Sequence, residues 1–140
     1  MKTSTAIRIV RHSAIYDLVI TVLFALPWTA TLLFTGLTAL HHTLGLEGAT
    51  PSAADAFTLM FANLMGSIVS VWAVYRIVRP TIAAGIADTV ARLFFSFGMI
   101  YALLGGASPL TAAMLTMELA WALVQGFAVL SARRAARAQA

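Results

Sequence analysis

Four long runs of apolar residues constrain the fold of this 140-residue chain more than any other feature. They lie at about 14–40, 56–76, 81–104 and 109–130. Each run has the roughly 20 residues that a helix needs to cross the hydrocarbon core of a bilayer. We therefore expect an all-α integral membrane protein, a four-transmembrane-helix bundle in which residues 1–140 form a single domain.

The composition of the chain is typical of a membrane protein. Hydrophobic residues make up 61% of the sequence and charged residues only 10%, whereas charged residues account for about a quarter of an average soluble domain. A secretory signal does not explain the first run, because that run is much longer than a signal core of roughly 7–15 residues and contains Asp17. The sequence therefore predicts a span there.

Basic residues indicate the orientation, since Lys and Arg gather in the cytoplasmic flanks of membrane helices. They precede the first run, separate the second from the third and follow the fourth: Lys2, Arg8, Arg11, Arg76, Arg79, Arg133, Arg134 and Arg137. The other two connections contain neither Lys nor Arg. We expect both termini in the cytoplasm, in a bacterial-type plasma (inner) membrane. The net charge of +4 then reflects topology and the lipid bilayer as partner, with no nucleic acid bound.

Some charged and polar residues lie inside the apolar runs and are not explained by topology. A charge near the bilayer centre costs at least ~2.5–3.5 kcal/mol, so such side chains face the bundle interior and find partners there. They recur at three- and four-residue spacing, which places them on one face of each helix. Helix-rise depths bring Asn63 level with Glu118. The candidate residues for binding a ligand or proton are Glu118, Asp17, Arg92, Asp88, Asn63 and Trp121.

Structural roles compete with functional ones at several of these positions. Asp88 and Arg92 lie four residues apart with the acid first, which is the favoured helical ion pair. Ala62 and Gly66 belong to a row of small residues that suits close helix packing. Glu118 has no basic residue three or four positions away on its own run, so it must be neutral or paired across helices. Glu118 is therefore the strongest functional candidate.

No motif of soluble enzymes or metalloproteins is present in the sequence. It contains no cysteine, no phosphate-binding glycine loop, no dinucleotide fingerprint and no HExxH pair. His41 and His42 are adjacent, so on a helix they point in different directions, and no further ligand completes a site. We therefore expect neither a metal nor a cofactor.

Three classes of function agree with these features. The first is a small-molecule or ion binding and transport module, as a homodimer or alone. The second is an accessory or assembly subunit of a larger membrane complex, whose buried polar residues only hold helices together. The third is an intramembrane enzyme acting on a lipid-like substrate, with Glu118 and Asp88 as acid and base, although the chain lacks a nucleophile or metal pattern. A cavity touching Glu118 favours the first class, and a dry, fully paired cluster favours the second.

Overall fold

The computed structural model describes residues 2–138, which fold into helices joined by short connections. Within this range the helices are α1 (Thr3–Thr21), α2 (Pro27–Thr43), α3 (Ala56–Val78), α4 (Ile82–Leu104) and α5 (Leu110–Arg137), with a 3-10 turn, Val22–Ala25, between α1 and α2. The all-helical fold expected from the sequence is confirmed. α3, α4 and α5 are each long and apolar enough to cross a membrane, and α1 with α2 makes a fourth span if the bent pair is counted as one.

The first apolar run is divided into two helices at Leu26. The segments Thr3–Ala25 and Pro27–Thr43 meet at an angle of 104°. A residue before proline prefers extended backbone, and Leu26 has φ −124° and ψ 139°. Pro27 then begins α2 at the position where its missing N–H removes no helical hydrogen bond. The sequence predicts one span over 14–40, and the structure divides this run between two helices with separate axes.

Side chains of α2 and α3 satisfy the carbonyls that this break exposes. The Thr29 hydroxyl donates to the carbonyls of Leu23 and Leu26 at 2.5 and 3.0 Å. The Asn63 amide on α3 donates to the Phe24 carbonyl at 2.8 Å. An unsatisfied backbone group inside a bilayer costs several kcal/mol. These bonds therefore allow the chain to leave the helical path at this point.

Gly66 brings the 3-10 turn directly against α3. A Cβ at this position would lie 2.5 Å from the carbonyl carbon of Phe24 and 2.5 Å from its Cβ. No real Cβ approaches backbone so closely, so a larger residue would push the turn away. The row of small residues predicts close helix packing, and at Gly66 the backbones do approach closely.

The remaining core consists mainly of small side chains. α4 packs along α5, while α1 packs against α3 and α5. At Gly85 of α4, an added Cβ would lie 2.5 Å from Val10 on α1 and 2.7 Å from Val129 on α5. Small residues let membrane helices approach, which matters because lipid gives no hydrophobic drive for their association. The helices are thus held by contact and by polar side chains.

The connections 44–55 and 105–109 meet at one end of the bundle, called here the outer-loop end. The Ala49 N–H donates to the Gly106 carbonyl, and the Ser108 N–H donates to the Ala49 carbonyl, both at 2.8 Å. His41 at the end of α2 is buried, and its Nδ1 lies 2.8 Å from the Ser108 hydroxyl. The start of α1 and the end of α5 lie at the opposite end, beside the α3–α4 connection.

Candidate functional site

Two aspartates and two arginines form a closed ring of ion pairs between α1, α3 and α4, called here the ion ring: Asp17, Arg76, Asp88 and Arg92. Arg92 contacts Asp17 through Nη2 at 2.6 Å and Asp88 through Nε at 3.1 Å. Arg76 contacts Asp17 through Nη2 at 2.5 Å and Asp88 through Nη1 at 2.8 Å. Each carboxylate therefore bridges both guanidinium groups. All four residues are exposed by 6% or less.

Neutral donors and acceptors add hydrogen bonds to the ion ring. Trp72 Nε1 donates to Asp88 Oδ1 at 3.0 Å, and Gln125 Nε2 donates to Asp88 Oδ2 at 2.9 Å. The Ser13 hydroxyl accepts from Arg92 Nη2 at 2.8 Å. Buried charges are tolerated only with good geometry and further hydrogen bonds, because their desolvation is costly. Through Gln125 the ring also ties α5 to α4.

Arg76 is the member of the ring that the sequence interpretation missed. Because Arg76 ends an apolar run, the sequence places it in a cytoplasmic connection, where a basic residue indicates the topology. The structure corrects this, since Arg76 is fully buried and its guanidinium lies 5.6 Å from the centre of the Trp72 ring. The signal available in the sequence was the charge count. Three acids with Arg92 alone leave two uncompensated buried charges, and a second cation compensates one of them.

Glu118 on α5 lies beside the ring but is not part of it. Among the described residues its one hydrogen-bond partner is Arg92, whose Nη1 lies 2.7 Å from Glu118 Oε2. The Glu118 side chain is 15% exposed, compared with 8% or less for the ring side chains. Its other carboxylate oxygen, Oε1, has no hydrogen-bond partner among the described residues. When all five groups are ionised, three carboxylates face two guanidinium groups, which leaves one uncompensated negative charge.

A cavity of about 570 Å³ begins at these charges and extends between α3 and α4. Its polar end is formed by Asp17, Asp88, Arg92 and Glu118, and its walls include Ile20, Phe24, Met65, Val69, Phe95 and Met99. α3 and α4 pack little against each other, although a short connection joins them. The ion ring and Glu118 are together called here the charged cluster. Side chains of this cluster bridge α3 and α4 at one end, and the cavity separates the two helices beyond it. Its volume is within the usual range for small-molecule sites, roughly 300–1,000 Å³.

A second cavity, of about 380 Å³, lies at the outer-loop end. Its lining includes Phe34 of α2 and Ser108 of the α4–α5 connection. Phe24 and Met114 line both cavities. The two cavities therefore adjoin at these two side chains, and together they extend from the ion ring to the outer-loop end.

Two of the six candidate residues take no part in the contacts between the charges. Asn63 binds the Phe24 carbonyl at the helix break. Trp121 packs on Tyr16 with ring centres 5.7 Å apart, and it is not among the residues that line the cavity. Asn63 and Glu118 have similar depths by helix rise, but depth does not fix the direction in which a side chain points around its helix. The structure thus brings together Asp17, Asp88, Arg92 and Glu118.

The arrangement supplies a carboxylate with one protein partner at the end of an apolar cavity. Such a group can accept a hydrogen bond from a ligand or pair with a cation. Within residues 2–138 no group of three or more His, Asp or Glu side chains is arranged to hold a metal ion. Comparisons of the chain with protein-family models, with curated proteins and with solved structures find no match.

Proposed function

We propose that this protein is a multi-pass membrane protein that binds and transports a small molecule or ion. The observation that carries the proposal is the cavity of about 570 Å³ that ends on Glu118. A well-formed apolar cavity with a few converging polar groups is the usual form of a small-molecule site. The ion ring fixes the polar end, and Glu118 is the group that faces the ligand.

The proposal places four spans in a bacterial-type inner membrane, with α1 and α2 as one bent span and both termini in the cytoplasm. The basic flanks support this orientation, and so does the position of the start of α1 and the end of α5 at the same end of the bundle. The chain contains no cysteine, so Ser52→Cys and Ala136→Cys provide unique thiols. An impermeant reagent should label Ser52→Cys in intact cells and should not label Ala136→Cys. The reverse pattern would contradict the orientation.

Transport, beyond simple binding, is supported by the two adjoining cavities. Phe24 and Met114 separate the site from the second cavity at the outer-loop end. Phe24 follows the end of α1 and lies in the 3-10 turn, where the helical hydrogen-bond pattern is interrupted. Broken helices are tolerated at membrane depth where they line a cavity. A movement of this turn would connect the two cavities.

The other two functions explain less of the structure. An assembly subunit is supported by the ion ring, whose charges hold helices together, but that role leaves the cavity and the open side of Glu118 unexplained. An intramembrane enzyme would use Asp88 as a base. Both oxygens of Asp88 already accept hydrogen bonds or ion pairs, from Trp72, Arg76, Arg92 and Gln125, so it is poorly placed to accept a proton.

Filling the cavity tests the binding proposal. Ala91 of α4 lines the cavity, and Ala91→Phe should fill part of it, whereas Ala102 of the same helix is exposed and is not among the lining residues. Purified wild type in maltoside micelles should bind the neutral fluorescent probe Nile red saturably above empty micelles. Ala91→Phe should weaken that binding, and Ala102→Phe should match wild type. Equal binding by all three proteins, or none by wild type, would favour the assembly role.

A further inference from the structure

We infer that the cavity binds an amphiphilic monovalent cation, whose charged head pairs with Glu118 and whose apolar body lies between α3 and α4. This inference rests on the proposed binding function and names the class of its substrate. It depends on the charge of the site, on the atoms that remain free for a ligand and on the chemistry of the cavity walls.

The charge of the site favours a single positive charge on the ligand. The ion ring is balanced, with two aspartates and two arginines that contact one another. Glu118 adds a third carboxylate, which shares Arg92 with both aspartates. A buried net charge is costly unless it is compensated. With Glu118 ionised, a monovalent cation beside it makes the whole site neutral.

An anionic ligand finds no unpaired cation in the cavity lining. Arg92 is the cationic residue of the lining, and all three of its nitrogens are engaged. Nε contacts Asp88, Nη1 contacts Glu118, and Nη2 contacts Asp17 and the Ser13 hydroxyl. An anion beside Arg92 would meet all three of these carboxylates at close range. The site therefore selects against negative charge.

The walls require an apolar body next to the charged head. Beyond the charges and Trp72, the one polar side chain of the lining is Thr21, and its hydroxyl already donates to the Asp17 carbonyl at 2.7 Å. Trp72 donates its N–H to Asp88. A polar body would lose its hydrogen bonds to water without replacement, at a cost of roughly 2–7 kcal/mol per group. Aliphatic and aromatic groups suit these walls.

The rim of the cavity faces outward from the bundle. Met65 and Ile68 line it on α3 and are 46% and 63% exposed. In a membrane, such exposed apolar side chains contact acyl chains. The space between α3 and α4 thus opens sideways towards the lipid, where amphiphilic cations accumulate. The ligand enters from the bilayer with its head directed towards Glu118.

Two ions of the same shape and opposite charge test this inference: tetraphenylphosphonium and tetraphenylborate. Each is titrated against Nile red bound to wild type in maltoside micelles, with protein-free micelles and Ala91→Phe as backgrounds. The phosphonium should displace the probe at a concentration at least about tenfold lower than the borate, because like charge at close range is strongly disfavoured. Equal displacement, or preference for the borate, would overturn the inference. This comparison needs no variant at the charged cluster.

Glu118→Gln provides the second measurement, because glutamine keeps the shape of the side chain and removes its charge. It should reduce phosphonium affinity about tenfold more than it reduces the affinity for neutral Nile red. Unchanged phosphonium affinity would show that Glu118 does not pair with the cation. In that case intact Nile red binding would preserve the proposed function while the substrate class is rejected. Absence of Nile red binding to wild type would reject both.

Discussion

The two ends of α3 are held by different forces. At its C-terminal end Arg76 is fully buried and pairs with Asp17 and Asp88. At its N-terminal end Asp55 is exposed and accepts hydrogen bonds from the backbone N–H groups of Phe57 and Thr58. The C-terminal end is held by buried charges whose separation costs much free energy, whereas the N-terminal end is held by an exposed helix cap.

This difference indicates which part of the bundle can move. Breaking a buried ion pair leaves an uncompensated charge, which costs about 3–5 kcal/mol. Hydrogen bonds at an exposed helix end exchange readily with water and contribute little. The ion ring therefore fixes the polar end of the cavity. Moving the helices costs less free energy at the outer-loop end, on the far side of Phe24 and Met114. The proposed transport function would use this combination of a fixed site and a movable wall.

The largest effect should come from Arg76→Leu. Leucine fills part of the space but leaves Asp17 and Asp88 with a single shared guanidinium, so the free energy of unfolding should fall by about 3–5 kcal/mol. Arg79→Leu is the matched control, because Arg79 ends the same helix and is exposed. Denaturant unfolding in micelles measures both variants. Equal stability of the two would mean that the ion ring does not fix this end of α3.

Gly66→Ala should produce the next largest loss, since its Cβ would meet the backbone of Phe24 at 2.5 Å. Overpacking of this kind costs about 1–3 kcal/mol, and it should also displace the turn that separates the two cavities. Gly98→Ala is the control, because no atom lies within 4 Å of an added Cβ there and alanine is the better helix former. Thermal unfolding of both variants checks the prediction. A loss of stability in Gly98→Ala as large as in Gly66→Ala would contradict it.

Glu118→Gln should change stability by less than about 1.5 kcal/mol, because the amide oxygen can still accept a hydrogen bond from Arg92. Asp88→Asn makes the same chemical change inside the ion ring, where Arg76 and Arg92 both depend on the carboxylate. It should be clearly the more damaging of the two. Parallel unfolding curves decide this. If Glu118→Gln proved the more destabilising, Glu118 would belong to the structural ring and not to the ligand site.

Much of the charged cluster follows from the sequence. Spacing of three and four residues places Asp88 and Arg92 on one helix face, and depth along antiparallel helices brings Arg92 near Glu118. These arguments use distances along a helix, which depend on its regular geometry. The helical fold follows from the length of the apolar runs for the same reason.

Other features depend on relations that a single helix does not contain. Asn63 has the same depth as Glu118, yet its amide donates to the Phe24 carbonyl at the helix break. The position of that break in space follows from tertiary packing. Pro27 indicates a break in the helix, but the angle of 104° between the two segments depends on the close packing of the 3-10 turn against Gly66. Arg76 is at the end of its apolar run, where an interfacial position and a buried one look alike in sequence.

The smallest effect should come from Asp55, and it should depend on pH. The hydrogen bond from the Thr58 hydroxyl, together with those from the backbone N–H groups of Thr58 and Phe57, lowers the pKa of the Asp55 carboxyl. A lowered pKa means that folding favours the ionised form, so the stabilisation is complete above the ordinary aspartate pKa near 4 and is lost as pH falls through the lower folded value.

Asp55→Asn separates this charge effect from capping, because asparagine also caps helices but does not titrate. Amide exchange at the first turn of α3 is the measurement, since the cap acts locally and global unfolding would scarcely register it. Protection in wild type should exceed that in Asp55→Asn at pH 6, because an anion is favoured at a helix N-terminus, and the two should converge as pH falls below 4. Asp55→Ala should be less protected than either at pH 6. A constant difference between wild type and Asp55→Asn across this range would show that the carboxylate charge does not stabilise this end of α3. In that case buried charges would hold the C-terminal end of α3, and uncharged hydrogen bonds of the cap would hold its N-terminal end.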